Sequence, residues 1–184
     1  TTDLESHSAD STPAVVDGKV HVIGSTNDPH AYCFDAATGE ELWKTKLPKP
    51  GGTRHYGHAG SPVIAGDLVI YNVGSGAAVN RNAGELIWEH QGLPGLASPV
   101  LFTHKGTPAV AIFCGEKLVG RNLETGAELW SIPWKTNLAV NACDPIFYGN
   151  DEKMFVCSDY GLGRALYDLS GGSPRELWNH TSGG

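Results

Sequence analysis

Four tryptophans set the frame for this chain. Trp43, Trp88, Trp130 and Trp178 close the segments DAATGEELW, NRNAGELIW, NLETGAELW and DLSGGSPRELW, and they recur at intervals of 45, 42 and 48 residues. Eight residues before the first three stand Asp35, Asn80 and Asn122; Asp168 stands ten before the fourth, so its turn carries two extra residues. Gly39, Gly84 and Gly126 precede their tryptophans by four, with the pair Gly171-Gly172 in the fourth copy. The start of each unit repeats as well: STPAVVDGKVHVIG, GSPVIAGDLVIYNV, ASPVLFTHKGTPAVAIFC and CDPIFYGNDEKMFVCS. Each is a proline, a short apolar run, a turn with Gly or Asn, and a second β-rich run. A period of this length marks one supersecondary unit stacked on copies of itself.

One unit reads strand, turn, strand, loop, strand, tight turn, strand. In the first copy the strands are predicted over 14–16, 19–23, 31–34 and 42–46. Asp17-Gly18 suits a hairpin turn. In the Asp/Asn-x-x-Thr-Gly turn the carboxylate or amide bonds the backbone two or three residues on, and Gly supplies positive φ. Pro13, Pro62, Pro99 and Pro145 fall at strand starts, where a missing N–H is tolerated. With 24 Gly, 11 Pro and only 18% charged residues, the composition is that of a turn-rich all-β protein. The expected fold is an all-β β-propeller of four-stranded antiparallel blades, four of them, at about residues 10–47, 58–91, 96–133 and 142–180. A sandwich of duplicated halves is the other all-β repeat to weigh. Trp43, Trp88, Trp130 and Trp178 are expected to lie across the gap to the adjoining blade as structural docking residues, not ligand-stacking ones. Trp134 falls outside the pattern and is expected to cover a loop.

The segments FDAATGEELW and RNLETGAELW resemble the tryptophan-docking motif of the PQQ-like (pyrroloquinoline-quinone-type) repeat propellers. IPWKTNLAVNACDPIF is similar to a segment of uncharacterised bacterial members. The resemblance covers about residues 10 to 180. It implies a ring of seven or eight blades, of which this chain supplies four. Three arrangements follow: part of a longer chain, a half-ring that self-associates through its open blade faces, or a closed four-bladed ring. It also implies a bacterial protein, periplasmic or secreted. The missing initiator Met and absent signal peptide fit a mature or excised segment.

The chemistry is less marked. Net charge is −7 with no basic run, which argues against nucleic acid or an anionic membrane surface as partner. No apolar stretch is long enough for a membrane span. Cys33, Cys114, Cys143 and Cys157 show no CxxC spacing; they allow three pairings, and the plain reading is buried thiols acting as small hydrophobes. The quinoprotein dehydrogenases of the resembled superfamily hold PQQ with calcium, use adjacent-cysteine disulfides and a catalytic Asp; neither a Cys-Cys pair nor such an acidic cluster is evident here. Other members are non-enzymatic scaffolds, including the lipoprotein of the outer-membrane β-barrel assembly machinery. The segments between units carry Arg54, His55, Tyr56 and His58, then Asn137, Asn141 and Asp144, with His7 and Asp10 at the start. In a propeller these segments reach the channel rim, so these residues are the ligand-binding candidates. His55 and His58 lie three apart on a loop, a spacing with no fixed geometry, and no metal site is assigned. The expected function is a non-catalytic binding or scaffold module that takes a protein or small-molecule ligand on the channel face, without a cofactor. The alternative is part of a PQQ-dependent, quinoprotein-like oxidoreductase.

Overall fold

The computed structural model describes residues 11–24, 28–49, 57–136, 139–159 and 161–181. Among these the chain forms sixteen strands and no helix, so nothing helical is long and apolar enough to cross a membrane. Blade one comprises β1 (Ala14–Val16), β2 (Lys19–Gly24), β3 (His30–Asp35) and β4 (Glu41–Lys46). Blade two has β5 (Val63–Ala65), β6 (Leu68–Tyr71), β7 (Ala77–Asn80) and β8 (Leu86–Glu89). Blade three has β9 (Val100–His104), β10 (Thr107–Phe113), β11 (Lys117–Asn122) and β12 (Glu128–Pro133). Blade four has β13 (Ile146–Tyr148), β14 (Lys153–Ser158), β15 (Gly163–Asp168) and β16 (Arg175–His180). Each is an antiparallel meander in chain order. The expected all-β propeller of four-stranded blades is the observed fold.

The polar turn before each tryptophan is built as its residues dictate. The Asp35 carboxylate accepts the Ala37 and Thr38 N–H groups at 3.0 and 2.8 Å, and Gly39 closes the turn at φ +74°. Asn80 and Asn122 do the same for their own turns. After the turn, one residue is left unpaired in every blade. Cys33 faces Trp43 while Phe34 faces Glu41, and the same slip occurs at Ala78/Val79, Gly120/Arg121 and Leu166/Tyr167. The bulge absorbs the apolar residue before each tryptophan (Leu42, Ile87, Leu129, Leu177) and re-aims the indole out of the sheet.

Burial explains why the second strands read as unbroken apolar runs. On β6, Val69 and Tyr71 enter the core shared with blade one, while Ile70 enters the core shared with blade three. On β10, Val110 and Ile112 face blade two, and Ala109, Ala111 and Phe113 join the blade three–four core. Sheets covered on both faces need apolar residues at successive positions, not alternate ones.

The tryptophans cross these junctions unequally. The Trp43 indole N–H donates to the Arg81 carbonyl at 3.1 Å, and a Cβ on Gly84 would fall 2.8 Å from its ring. The Trp88 N–H donates to the Leu123 carbonyl at 3.0 Å, over Gly126. Arg81 and Leu123 each follow the Asn that opens the next blade's turn. Trp130 belongs to the blade three–four core but settles over Gly120 of its own sheet, and its N–H has no hydrogen-bond partner. The fourth blade's turn is also the longer one, and in it Asp168 accepts from Ser170 and pairs with Lys153 and Arg175. Trp178 is 37% exposed, and Gly39, the counterpart of Gly84 and Gly126, has nothing within 4 Å of where a Cβ would lie. The described first and fourth blades therefore do not meet, which overturns the closed four-bladed ring. Trp134, outside the repeat pattern, is buried, donates to the Ser158 hydroxyl at 2.7 Å and meets the Phe113 ring edge-on.

Candidate binding face

Antiparallel meanders sort their connections by end. The links between blades and the turns joining second to third strands lie at one end; the remaining turns lie at the other. The link end therefore gathers His58, Asn141 and Asp144 with the Asn72–Gly76 and Cys114–Glu116 turns. Arg54, His55, Tyr56 and Asn137 lie outside the described residues, as do His7 and Asp10.

The links are fastened by the residue before each strand-start proline. The Thr12 N–H donates to the Ser61 hydroxyl at 3.1 Å, the Ser61 N–H to the Ser98 hydroxyl at 3.2 Å, and the Ser98 N–H to the Asp144 carboxylate at 2.7 Å. Each pre-proline side chain thus accepts from its counterpart one blade earlier. Proline holds the preceding residue extended, which presents its N–H and side chain sideways along this ladder. Asp144 is exposed and serves as the ladder's last acceptor.

Deeper in, two asparagines tie links to turns. The Asn72 amide donates to the Ala97 and Phe113 carbonyls at 2.8 and 3.0 Å. Fully buried Asn141 donates to the carbonyls of Cys114, Gly115 and Trp134 at 2.7, 3.3 and 3.2 Å, while its own carbonyl takes the Leu96 and Ala97 N–H groups. Its Oδ1 has no hydrogen-bond partner. His58 is buried rather than solvated, at 5% exposure. Of the ligand-binding candidates the structure describes, Asn141 and Asp144 thus have structural partners that the sequence did not suggest.

A second polar cluster went unremarked in the sequence. Arg121 is buried between blades two and three; it donates to the Ser75 carbonyl and hydroxyl at 2.9 and 3.1 Å and to the Gly126 carbonyl at 3.1 Å. The Ser75 hydroxyl lies 3.3 Å from the Cys114 sulfur. Burial pushes the Cys114 thiol up, so it is held protonated and is a poor nucleophile. Burial also lowers the Arg121 guanidinium, whose hydrogen-bond acceptors are neutral oxygens. Arg121 is a lock between blades, not the acid of a catalytic pair. The signal was an arginine at an inward strand position in LVGRN. Outside this lock, at the link end, opens a cleft of about 290 Å³ lined by Ser75, Gln91, Leu93, Cys114, Lys117 and Ser131.

A calcium-supported quinone needs an oxygen-rich acidic set. Among the described residues no three His, Cys, Asp or Glu side chains gather to hold a metal ion, and the Asp144 carboxylate is committed to the ladder.

Comparison with known proteins agrees with the architecture. The family described as "Outer membrane protein assembly factor BamB", a PQQ-like repeat family, matches residues 1–184. Among solved structures, BamB from Moraxella catarrhalis superposes with TM-score 0.67 at 18% identity, over 94% of this chain and 50% of that one. The quinohemoprotein alcohol dehydrogenase ADHIIG from Pseudomonas putida HK5 gives 0.63 at 15%, over 95% and 34%. That from Comamonas testosteroni gives 0.62 at 16%, over 97% and 37%. The chain thus spans half or less of each of these relatives, and at such identities the likeness is one of fold. No curated protein matches.

Proposed function

The chain belongs to the BamB family of PQQ-like repeat propellers, and we propose that it is a non-catalytic scaffold that binds a protein partner on its link face. The observation that carries this is the use of the polar groups there. Asn72, Asn141, Ser61, Ser98 and Asp144 hold the links rigid through hydrogen bonds to backbone. A rigid scaffold end bearing loops and an adjoining cleft suits recognition. The family's description, assembly at the outer membrane, extends to this chain as a bacterial periplasmic or secreted location and a protein ligand. Its uncovered outer blade faces add self-association between copies.

The test is a photo-crosslinking residue placed at exposed Gln91, on the link face, and at Asp67, at the opposite end. Crosslinks to one exported protein from position 91 alone are expected. Equal crosslinking from both ends, or none, counts against a link-face partner. Saturable, stoichiometric binding of PQQ with calcium would replace the scaffold with the quinoprotein oxidoreductase.

A further inference from the structure

The blade junctions differ at the end opposite the links. The repeat sets Asp17, Lys19, Arg81 and Asn82 of junction one–two against Gly66, Leu68, Leu123 and Glu124 of junction two–three. At the first, Arg81 pairs with Asp17 at 2.6 Å and the Lys19 ammonium donates to the Asn82 side-chain oxygen at 2.9 Å, so polar side chains bridge the blades. At junction three–four, rings fill the same place. Phe102 stacks on Phe147 at 4.4 Å, and Leu169, the counterpart of Leu123, is buried. Junction two–three has neither closure. Ala65 stands where blade three has Phe102, and Leu101 stands where blade four has Phe147. Leu101 is 40% exposed, and a cleft of about 660 Å³ opens here, walled by Leu68, Ile87, Leu101, Pro108 and Leu123.

That volume falls in the range of about 300–1,000 Å³ typical of small-molecule sites. The apolar walls favour an apolar body, which removes them and itself from water. The charges at the rim favour one sign. The two charged residues that line the cleft are both acidic, Asp67 on the blade two hairpin and Glu124 on the blade three turn. Arg81 reaches Asp67 only at 3.9 Å, its short contact being with Asp17. An anion would be repelled by both carboxylates, and a cation drawn to both.

We propose that this cleft is a binding site for a small organic cation, an apolar ring or chain that carries an amine. The body lies against the leucines and Pro108, while the ammonium stays at the wet rim between Asp67 and Glu124. The site is at the end opposite the link face and does not depend on the protein partner proposed there.

The test uses 1-naphthylmethylammonium and 1-naphthaleneacetate, one ring system with opposite charges, titrated by calorimetry into the folded 184-residue chain at low salt. The cation should bind once per chain with Kd of about 0.1–1 mM, as suits about a dozen heavy atoms. The anion should bind at least about tenfold more weakly. Leu123→Arg gives blade three the residue that blade two already carries at this position, and melting checks that the variant is folded. It sets a cation in the cleft and should weaken the cation probe by more than about tenfold. Asp67→Asn combined with Glu124→Gln changes only exposed side chains and keeps the apolar walls. It should bring the two probes to within about threefold of each other. Equal affinity of the wild type for both probes, or no binding of the cation below about 10 mM, would overturn the site. So would binding that Leu123→Arg leaves intact, which would place the probe on the open faces of blades one and four. Self-association of the chain that Leu123→Arg abolishes would give the cleft to a second copy instead.

Discussion

His21 shows most sharply what a single residue contributes here. In each blade a cross-strand row runs through the tryptophan: His21–Cys33–Trp43, Ile70–Ala78–Trp88, Ala111–Gly120–Trp130 and Phe155–Leu166–Trp178. Three blades place an apolar residue at the first position; blade one places an imidazole. It is fully buried, 5.6 Å from the Trp43 ring, and neither ring nitrogen has a hydrogen-bond partner. Burial, then the charges of Arg81 and Lys19, lowers its pKa. The unfolded chain therefore takes up the proton first, near the ordinary His value of 6.5, and stability falls as pH drops below that value toward the folded pKa. His90 and His104 are lowered too, again chiefly by burial, and add to the same slope. His21→Ile, which copies blade two, is expected to raise stability at pH 7 by about 1–2 kcal/mol by removing unsatisfied buried nitrogens. Melting at pH 7 and pH 5 checks this: the loss between the two should shrink in the variant. An unchanged loss would mean that His21 takes up its proton equally in both states. The sequence hid this site because KVHVIG sets Lys19 and His21 on one face, which reads as the solvated one, whereas that face is the one packed against blade two.

At the level of the elements, strand, turn and proline positions were legible because each follows from local chemistry. Asp-Gly and Asx-x-x-Thr-Gly specify turns, and the strands of the first unit lie within a residue of their expected bounds. The links were not legible in the same way. Ser61 and Ser98 stand out as repeated positions, but their partners lie one blade away, at a distance no local pattern encodes. The rim candidates therefore divide by burial. Asn141→Ala would leave three carbonyls short of a donor inside the fold, and a loss of about 2–4 kcal/mol is expected. Asp144→Ala removes one exposed acceptor, with an expected loss of about 0.5–1.5 kcal/mol, and Asp144→Asn, which keeps an oxygen for the Ser98 N–H, should lose less. Chemical denaturation of the three variants separates these. If Asn141→Ala loses no more than Asp144→Ala, the amide does not clamp the third link.

Over the whole molecule, blades one and four carry the two halves of a contact that the inner junctions complete. Blade four offers a continuous apolar row, Ile146–Phe155–Leu166–Trp178, with Ile146 59% exposed, where blade three presents Val100, Ala111, Gly120 and Trp130 to its neighbour. Blade one offers Val15, Val20 and Phe34, in the positions by which Phe147, Met154 and Tyr167 of blade four meet blade three. It also offers the Gly39 turn, its seat open where Gly84 and Gly126 each receive an indole. Four blades cover half of the BamB structure, so a second copy placed head to tail would bring its Gly39 turn under Trp178 and close a two-fold ring. The ladder would continue in the same step, the Asp144 N–H donating to the partner copy's Thr12 hydroxyl. Light scattering coupled to size exclusion should then give twice the chain mass at tens of micromolar. Gly39→Asn is the informative variant. Asn tolerates positive φ, so the turn should survive with stability changed by less than about 1 kcal/mol. Its side chain would fill the indole seat and weaken association more than about tenfold, as Trp178→Ala should by removing the ring. A wild-type chain that stays monomeric, or a Gly39→Asn chain that associates as the wild type does, would show that these faces await something other than a second copy.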